Sequence, residues 1–345
     1  MPSDSFDTFF ACTIIVAAAL IATAFLGSTL HARITSTQDI NKDSYLRAIA
    51  DRIATNPGTP VDWGTGTSVP QDFGLAQSQS SIPYELDIDK ISRLNSQNNA
   101  SFNYAEMVNS AKLNSIAFGL GVTQIISIGI EQIENHTVGS DITFTFQITT
   151  NINSKPTDAS LQYYVVANNY LTSATGVASN GYGEITVQAP IASIDHALLV
   201  LFARNPLDDR ITAYSIYNFA TGTKQSTPNN TSVTLSMSDY TVTCLLKSPN
   251  VTVQNGYVLS YNTESNLAPI SSTQFTVPKL IEKSPLIILV YGVDDEYFQE
   301  WTAYPQIPLT TGSNFEGSEQ NIFSYVVTIN GVLYRLNISL GDVIH

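Results

Sequence analysis

Few residues in this chain have types and spacings suited to chemistry. Histidine occurs four times, at His31, His136, His196 and His345. None has a second His, a Cys or a carboxylate at the spacing that metal ligation needs. Cys12 sits in an apolar stretch and Cys244 in a strand-like one, so a disulfide and a Cys–His nucleophile pair both lack parts. Cys244 reads as a small buried hydrophobe. The acid run Asp294-Asp295-Glu296, with Asp208-Asp209 as an earlier counterpart, could offer oxygens to Ca²⁺. That ion asks for about 6–8 oxygens converging on one point. Adjacent residues in a tight β connection cannot converge, so both runs read as solvated turns. Gly119-Leu120-Gly121 and Gly181-Tyr182-Gly183 open no helix with a nearby Lys, which excludes a phosphate loop. The expectation is a protein that is not an enzyme, with no catalytic residues, no cofactor and no metal.

The elements around these residues are set by composition. The chain has 345 residues, 43% of them apolar, enough for a sizeable core. Only 13% are charged, and the 15 basic residues are scattered in a chain of net charge −14. A nucleic-acid partner is excluded, since it requires a clustered cationic face. Ser, Thr and Asn replace the missing charges, as on the surface of an exported β-rich protein.

From Thr8 to Leu30 there is no charged residue, a run of 23. As a helix it would span about 34 Å, against about 30 Å for a hydrocarbon core. The leading residues carry Asp4 and Asp7 and no base, which disfavours a secretory signal peptide. Beyond Arg33 the pattern turns amphipathic, with Leu46, Ile49 and Ile53 on one stripe, until Asn56-Pro57-Gly58 stops it. Two readings remain: one helix from about Ser5 to Thr55, or an anchor followed by a separate juxtamembrane helix. Arg33, Lys42 and Arg47 follow the segment, and charge bias alone would place them in the cytoplasm. With only seven residues before the segment, the exported character of the remainder decides the orientation.

Residues 57–82 are loop, followed by helical patterns beginning at Asp87 and at about Asn103. From Val122 onward strand-like stretches recur between turn signals. Ile185-Thr186-Val187 returns as Phe275-Thr276-Val277, Leu198-Leu199-Val200 as Ile287-Ile288-Leu289, and Asp208-Asp209 as Asp294-Asp295. Thr212-Ala213-Tyr214 returns unchanged as Thr302-Ala303-Tyr304, and Val233-Thr234-Leu235 with Tyr240 matches Val327-Thr328-Ile329 with Tyr334. The expected fold is mostly β with a long N-terminal α-helix and tandem immunoglobulin-like β-sandwich units near 155–246 and 247–345. The strands of 122–152 either complete the first unit or form a small sheet against the helix. The expected division is 1–56 for the helix, 57–121 for loop and short helices, and 122–246 and 247–345 for the two β units.

An ordered set of pieces in the first 120 residues resembles archaeal type IV pilin-like proteins, which are exported with a class III signal sequence. The pieces are SFDTFFA (Ser5 to Ala11), RIATNPGTPVDWG (Arg52 to Gly64), FGLA (Phe73 to Ala76) and LDIDKISRL (Leu86 to Leu94). The resemblance implies a helix held in a bilayer or packed with identical subunits in a filament core, and a remainder displayed at the cell surface. It also implies that Asp7 neutralises the amine of a neighbouring subunit, if processing exposes Ser3. No basic residue or Gly precedes the helix, so Asp4 and Asp7 are read first as solvated flanks of a membrane helix. Sequons at Asn99, Asn135, Asn229, Asn230, Asn250 and Asn337 would serve as N-glycosylation acceptors in an exported domain. The functional expectation is a structural or adhesive surface protein. The alternative makes the distal β-sandwich a recognition module for a glycan or an envelope protein.

Overall fold

The apolar segment and the amphipathic one after it lie in a single helix, α1 (Ser3–Thr55). The computed structural model describes residues 3–96, 98, 101–113, 116–167, 170–190, 197–219, 233–236, 241–244, 252–278, 283–294, 296–313, 315 and 320–342. In α1 the described side chains are those of residues 9, 13–26, 28 and 42–55. The chain divides into two units, residues 1–51 and 52–345.

The second unit is mostly β, with several antiparallel sheets. It begins with the last turn of α1 and two short helices whose starts are dictated locally. Asp87 caps α2 (Ile88–Arg93), its carboxylate accepting from the N–H groups of Asp89 and Lys90. Asn103 and Glu106 form a reciprocal capping box on α3 (Tyr104–Ala111). Met107, Ser110 and Ala111 are the buried face of α3, and Tyr104 is exposed. Two strands belong to this region, β1 (Glu85–Leu86) and β2 (Ile116–Gln124).

Two pairs of sheets follow in chain order. In the first pair, β3 (Ile126–Val138), β4 (Asp141–Ile152), β5 (Lys155–Pro156) and β8 (Tyr182–Pro190) make one sheet. The other is β6 (Ala159–Ala167), β7 (Tyr170–Ala178), β9 (Ala197–Arg204) and β10 (Thr212–Phe219), ordered β10-β9-β6-β7. In the second pair, β11 (Val233–Ser236), β12 (Thr241–Cys244), β15 (Ala268–Pro269) and β16 (Gln274–Thr276) form one sheet. Its companion holds β13 (Thr252–Leu259), β14 (Glu264–Asn266), β17 (Leu286–Asp294) and β18 (Glu296–Tyr304), ordered β14-β13-β17-β18.

Three cores join these sheets into a stack. Phe144, Phe146 and Val187 pack against Leu161, Val165, Leu199 and Leu201, closing the first pair. The opposite faces of β6 and β9, carrying Tyr164, Val166, Leu198, Val200 and Phe202, pack against Leu259, Ile287, Leu289 and Tyr291. Beyond them Val258, Ile288 and Val290 meet Val242, Cys244 and Phe275. The two middle sheets are therefore covered on both sides, which is why Ala197–Ala203 and Ile287–Val290 are apolar without alternation. Tandem units were expected; the two sheet pairs instead lie face to face.

The chain then returns to its start. β19 (Leu309–Gly312) pairs with β2, and β2 pairs along its length with β21 (Val332–Asp342). β20 (Gln320–Ile329) completes the hairpin and runs parallel to β1. β19, β20 and β21 thus belong with β1 and β2, and β11 and β12 both precede residue 247. A repeat is present in topology: β7-β6-β9-β10 and β14-β13-β17-β18 have the same order. Two of the residue matches are not equivalent in it. Thr212-Ala213-Tyr214 pairs with the end of β9, whereas Thr302-Ala303-Tyr304 pairs with the beginning of β17. Val327–Ile329 lies in β20, outside both sheet pairs.

Candidate functional site

On α1, Phe9, Ile14, Ile15, Val16, Leu20, Ile21, Phe25 and Leu26 are all between 58% and 71% exposed. Ile14, Ile15 and Val16 are consecutive, about 100° apart around the axis, so the apolar surface is no single stripe. The hydroxyls in this stretch do not reach outward. Thr13 donates to the Phe9 carbonyl at 2.8 Å, Thr23 to that of Ala19 at 2.7 Å, and Ser28 to that of Phe25 at 2.9 Å. Each spends its proton on the helix's own backbone, leaving only hydrocarbon to the surroundings. Among the described residues no helix is long and apolar enough to cross a membrane. The unbroken run with described side chains, Thr13–Leu26, spans about 21 Å against about 30 Å of hydrocarbon.

The C-terminal end of α1 is held by a latch. Its last carbonyls accept from Asn56 N–H (to Arg52, 2.9 Å) and Leu75 N–H (to Ile53, 2.9 Å), and Asn56 itself accepts from Ala76 N–H at 3.0 Å. These bonds satisfy groups that a helix end leaves without partners. Gly74 is required there, since a Cβ would lie 2.2 Å from the Asn56 carbonyl oxygen. Trp63, 1% exposed, donates its indole N–H to Gly74 O at 3.0 Å and packs on Phe73 and Phe102. Two cations close the latch from α2. Lys90, fully buried, donates to the Pro57 and Ala76 carbonyls, both at 2.8 Å, with Asp87 3.8 Å away. Arg93 donates to the carbonyls of Trp63 and of Ser68 (3.0 Å) and lies 5.3 Å from the Phe102 ring centre. Burial lowers the pKa of the Lys90 ammonium, and Asp87 and Asp62 oppose that shift.

RIATNPGTPVDWG, FGLA and LDIDKISRL are thus one packing unit, three strands of sequence that meet at Trp63 and Lys90. Comparison with known proteins finds neither a family model nor a curated protein that matches this chain. Sequence reading missed Lys90 and Arg93, because two bases in a six-residue helix look like solvated surface. The signal was their spacing, with Ile91 and Leu94, around a helix too short to have an exposed face for each.

The other candidates scatter. Asp7 is on α1, with its side chain outside the described ones, as are those of Cys12 and His31. Asn99, Asn229, Asn230, Asn250, His196, His345 and Asp295 lie outside the described residues, as do the side chains of Asp294 and Glu296. Asn135 and His136 are exposed on β3. Asn337 is half-buried on β21 and accepts from Ser324 Oγ at 2.7 Å. Asp208 receives two bonds from the Arg210 guanidinium, at 3.0 and 2.8 Å, and those bonds hold its pKa below the usual carboxylate value. Cys244 is buried in the outermost core, and burial pushes its thiol up to about 12. No group of three His, Cys, Asp or Glu among the described residues could hold a metal ion.

Proposed function

We propose that this is a structural or adhesive cell-surface protein, retained through α1 in a lipid bilayer or among identical subunits, with the second unit displayed outside the cell. The observation that carries the reading is the all-round apolar exposure of α1 together with its inward-turned hydroxyls. Burying one large apolar side chain is worth roughly 1.5–3 kcal/mol. Eight of them on one helix represent a driving force as large as the roughly 5–15 kcal/mol that stabilises a typical domain. Lipid or other copies of the same helix would meet that demand equally.

The latch at Trp63 and Lys90 supports the pilin-like form of this proposal, because the pieces that carry the resemblance act together in seating the end of the helix. On this reading Asp7 serves subunit assembly, and the two sheet pairs are immunoglobulin-like sandwiches that provide the contact surface. Packed face to face, they give the displayed unit breadth rather than reach. Asn135, exposed on an edge strand, is an accessible acceptor for N-glycosylation.

Fractionation of the native cells tests the proposal. Full-length protein should sediment with membranes or filaments, and a version lacking residues 3–30 should be released as a soluble, folded unit. Release by shearing would assign α1 to a filament core, and release only by detergent would assign it to a bilayer. If both versions fractionate as free monomers, the reading is wrong.

A further inference from the structure

An uncharged hollow of the second unit lies where β10, β18 and the segment after α2 converge, and the geometry points to a binding site there for a neutral sugar ring. A cavity of about 370 Å³ is lined by Asn95 after α2, Tyr214 of β10, Trp301 and Thr302 of β18, and Gln306 and Pro308 of the connection to β19. A second cavity of about 400 Å³ shares Tyr214, Trp301 and Pro308 with it, so one groove runs past the indole on both sides. In a chain of net charge −14, no residue lining either cavity is Asp, Glu, Lys, Arg or His. An ionic ligand would find no counter-charge in it. A purely apolar one would strand the amides and hydroxyls.

Gln306 supplies the directional element. It is only 9% exposed, and its Nε2 donates to Thr302 Oγ1 at 3.1 Å. The Thr302 hydroxyl also lies 3.5 Å from Ala303 O. Among the described residues Gln306 Oε1 has no hydrogen-bond partner. A buried acceptor without a donor costs on the order of 1–3 kcal/mol, which a ligand hydroxyl would recover. The floor is rigid: the Tyr214 hydroxyl donates to Ile307 O, and the Gln124 amide holds both backbone groups of Tyr214, at 2.6 and 3.1 Å. Trp301, half-buried, and Pro308 provide the flat apolar walls on which the C–H face of a sugar packs, while the Gln306 amide, turned from its buried position into the groove, takes a hydroxyl from its rim. The volume is at the lower end of the roughly 300–1,000 Å³ of small-molecule sites, which fits one or two hexose rings. The assignment does not depend on how α1 is retained.

The two tryptophans make the test direct. Trp63 is 1% exposed and shielded from acrylamide, whereas Trp301 is accessible in the groove. Full-length protein, in a detergent without a sugar headgroup, is titrated with glucose, galactose, mannose, N-acetylglucosamine and glucuronic acid while quenching is followed. At least one neutral sugar should protect Trp301 saturably with a Kd in the millimolar range, and glucuronic acid should not. Gln306→Leu, close in volume and without the acceptor, should weaken that binding about tenfold or more. Three results would overturn the assignment: no neutral sugar protects Trp301 up to about 50 mM, well above a millimolar Kd; protection is unchanged in Gln306→Leu; or an uncharged peptide protects where sugars do not. Should Gln306→Leu fail to fold, the titration of the unaltered protein decides alone.

Discussion

The first half of α1 and the middle strands of the stack are written in the same alphabet. Ile14-Ile15-Val16 and Leu20-Ile21 on the helix, and Leu198–Phe202 or Ile287–Val290 in the sheets, are unbroken apolar runs. Their fates are opposite: the helical residues are more than half exposed, and the strand residues are almost wholly buried on both faces. The β6–β9 and β13–β17 sheets cover each other with one face and are covered by an outer sheet on the other. An apolar run therefore states that a segment must be covered, and the surrounding chain decides whether the cover is its own. For the strands it is. On α1 the described large apolar side chains from Phe9 to Leu26 stay more than half exposed.

A matched pair of charges should separate the two cases with the largest effect. Leu199→Asp places a carboxylate between two layers with no partner and is expected to cost more than about 4 kcal/mol, enough to unfold the second unit. Ile15→Asp should leave the denaturant midpoint of that unit within about 0.5 kcal/mol of the parent, yet remove the protein from the membrane or filament fraction. If Ile15→Asp destabilised the folded unit as Leu199→Asp does, the two runs would be the same kind of core. Truncations sharpen the contrast within the head. Leu289→Ala, at the contact between the middle sheets, should cost about 2–5 kcal/mol, while Leu207→Ala, 95% exposed, should be neutral by urea unfolding. A small effect at Leu289 would mean that the two sheet pairs do not depend on each other's cover.

What could be read from sequence divides along the same line between local and distant causes. The cap at Asp87 was legible because a side chain and N–H groups two or three residues away decide it. The pairing of β2 with β21 was not, since Ile116 and Asp342 are 226 positions apart and nothing in either strand names its partner. The repeat was visible as words such as Thr-Ala-Tyr, but register follows the turn and the buried face, and those put the two copies at opposite ends of their strands. The absence of alternation in Leu198–Phe202 was the available sign of a second covering layer. The sugar groove was illegible for the reason β2–β21 was: Asn95, Tyr214, Trp301 and Gln306 come from separate segments, and only Gln306's buried, unpaired oxygen distinguishes it from any other glutamine.

The polar groups of the two regions differ as well. On α1 the hydroxyls of Thr13, Thr23 and Ser28 are turned back on their own helix, whereas the second unit buries whole charges and satisfies them through distant backbone. Lys90→Met tests that capacity. It keeps the stem, removes the donors to Pro57 and Ala76, and should lower stability by about 2–4 kcal/mol by leaving buried carbonyls unpaired. If Lys90→Met were neutral in thermal unfolding, the latch would owe its strength to Trp63 alone.

The smallest expected effect concerns Asp89, whose carboxylate accepts from the buried Tyr304 hydroxyl across the gap between α2 and β18. Burial raises its pKa above the ordinary 3.8, more than the Tyr304 hydrogen bond lowers it, and Asp87 adds to the rise. The folded state consequently holds this proton more tightly than the unfolded one. Its contribution to stability is full below 3.8 and is lost as pH climbs through the folded value. Asp208, held low by Arg210, works in the other direction and loses its contribution on acidification. In Asp89→Asn the amide oxygen can still accept from Tyr304 and carries no charge at any pH. The variant should match the parent at low pH and gain on it as pH rises above 3.8, reaching an advantage of no more than about 1 kcal/mol at neutrality. Urea midpoints taken from pH 3 to 7 would show it. A variant that instead lost stability steadily toward neutral pH would mean that the ionised carboxylate, bonded to Tyr304, is a favourable charge in this interior, and that the second unit covers charge as readily as it covers hydrocarbon.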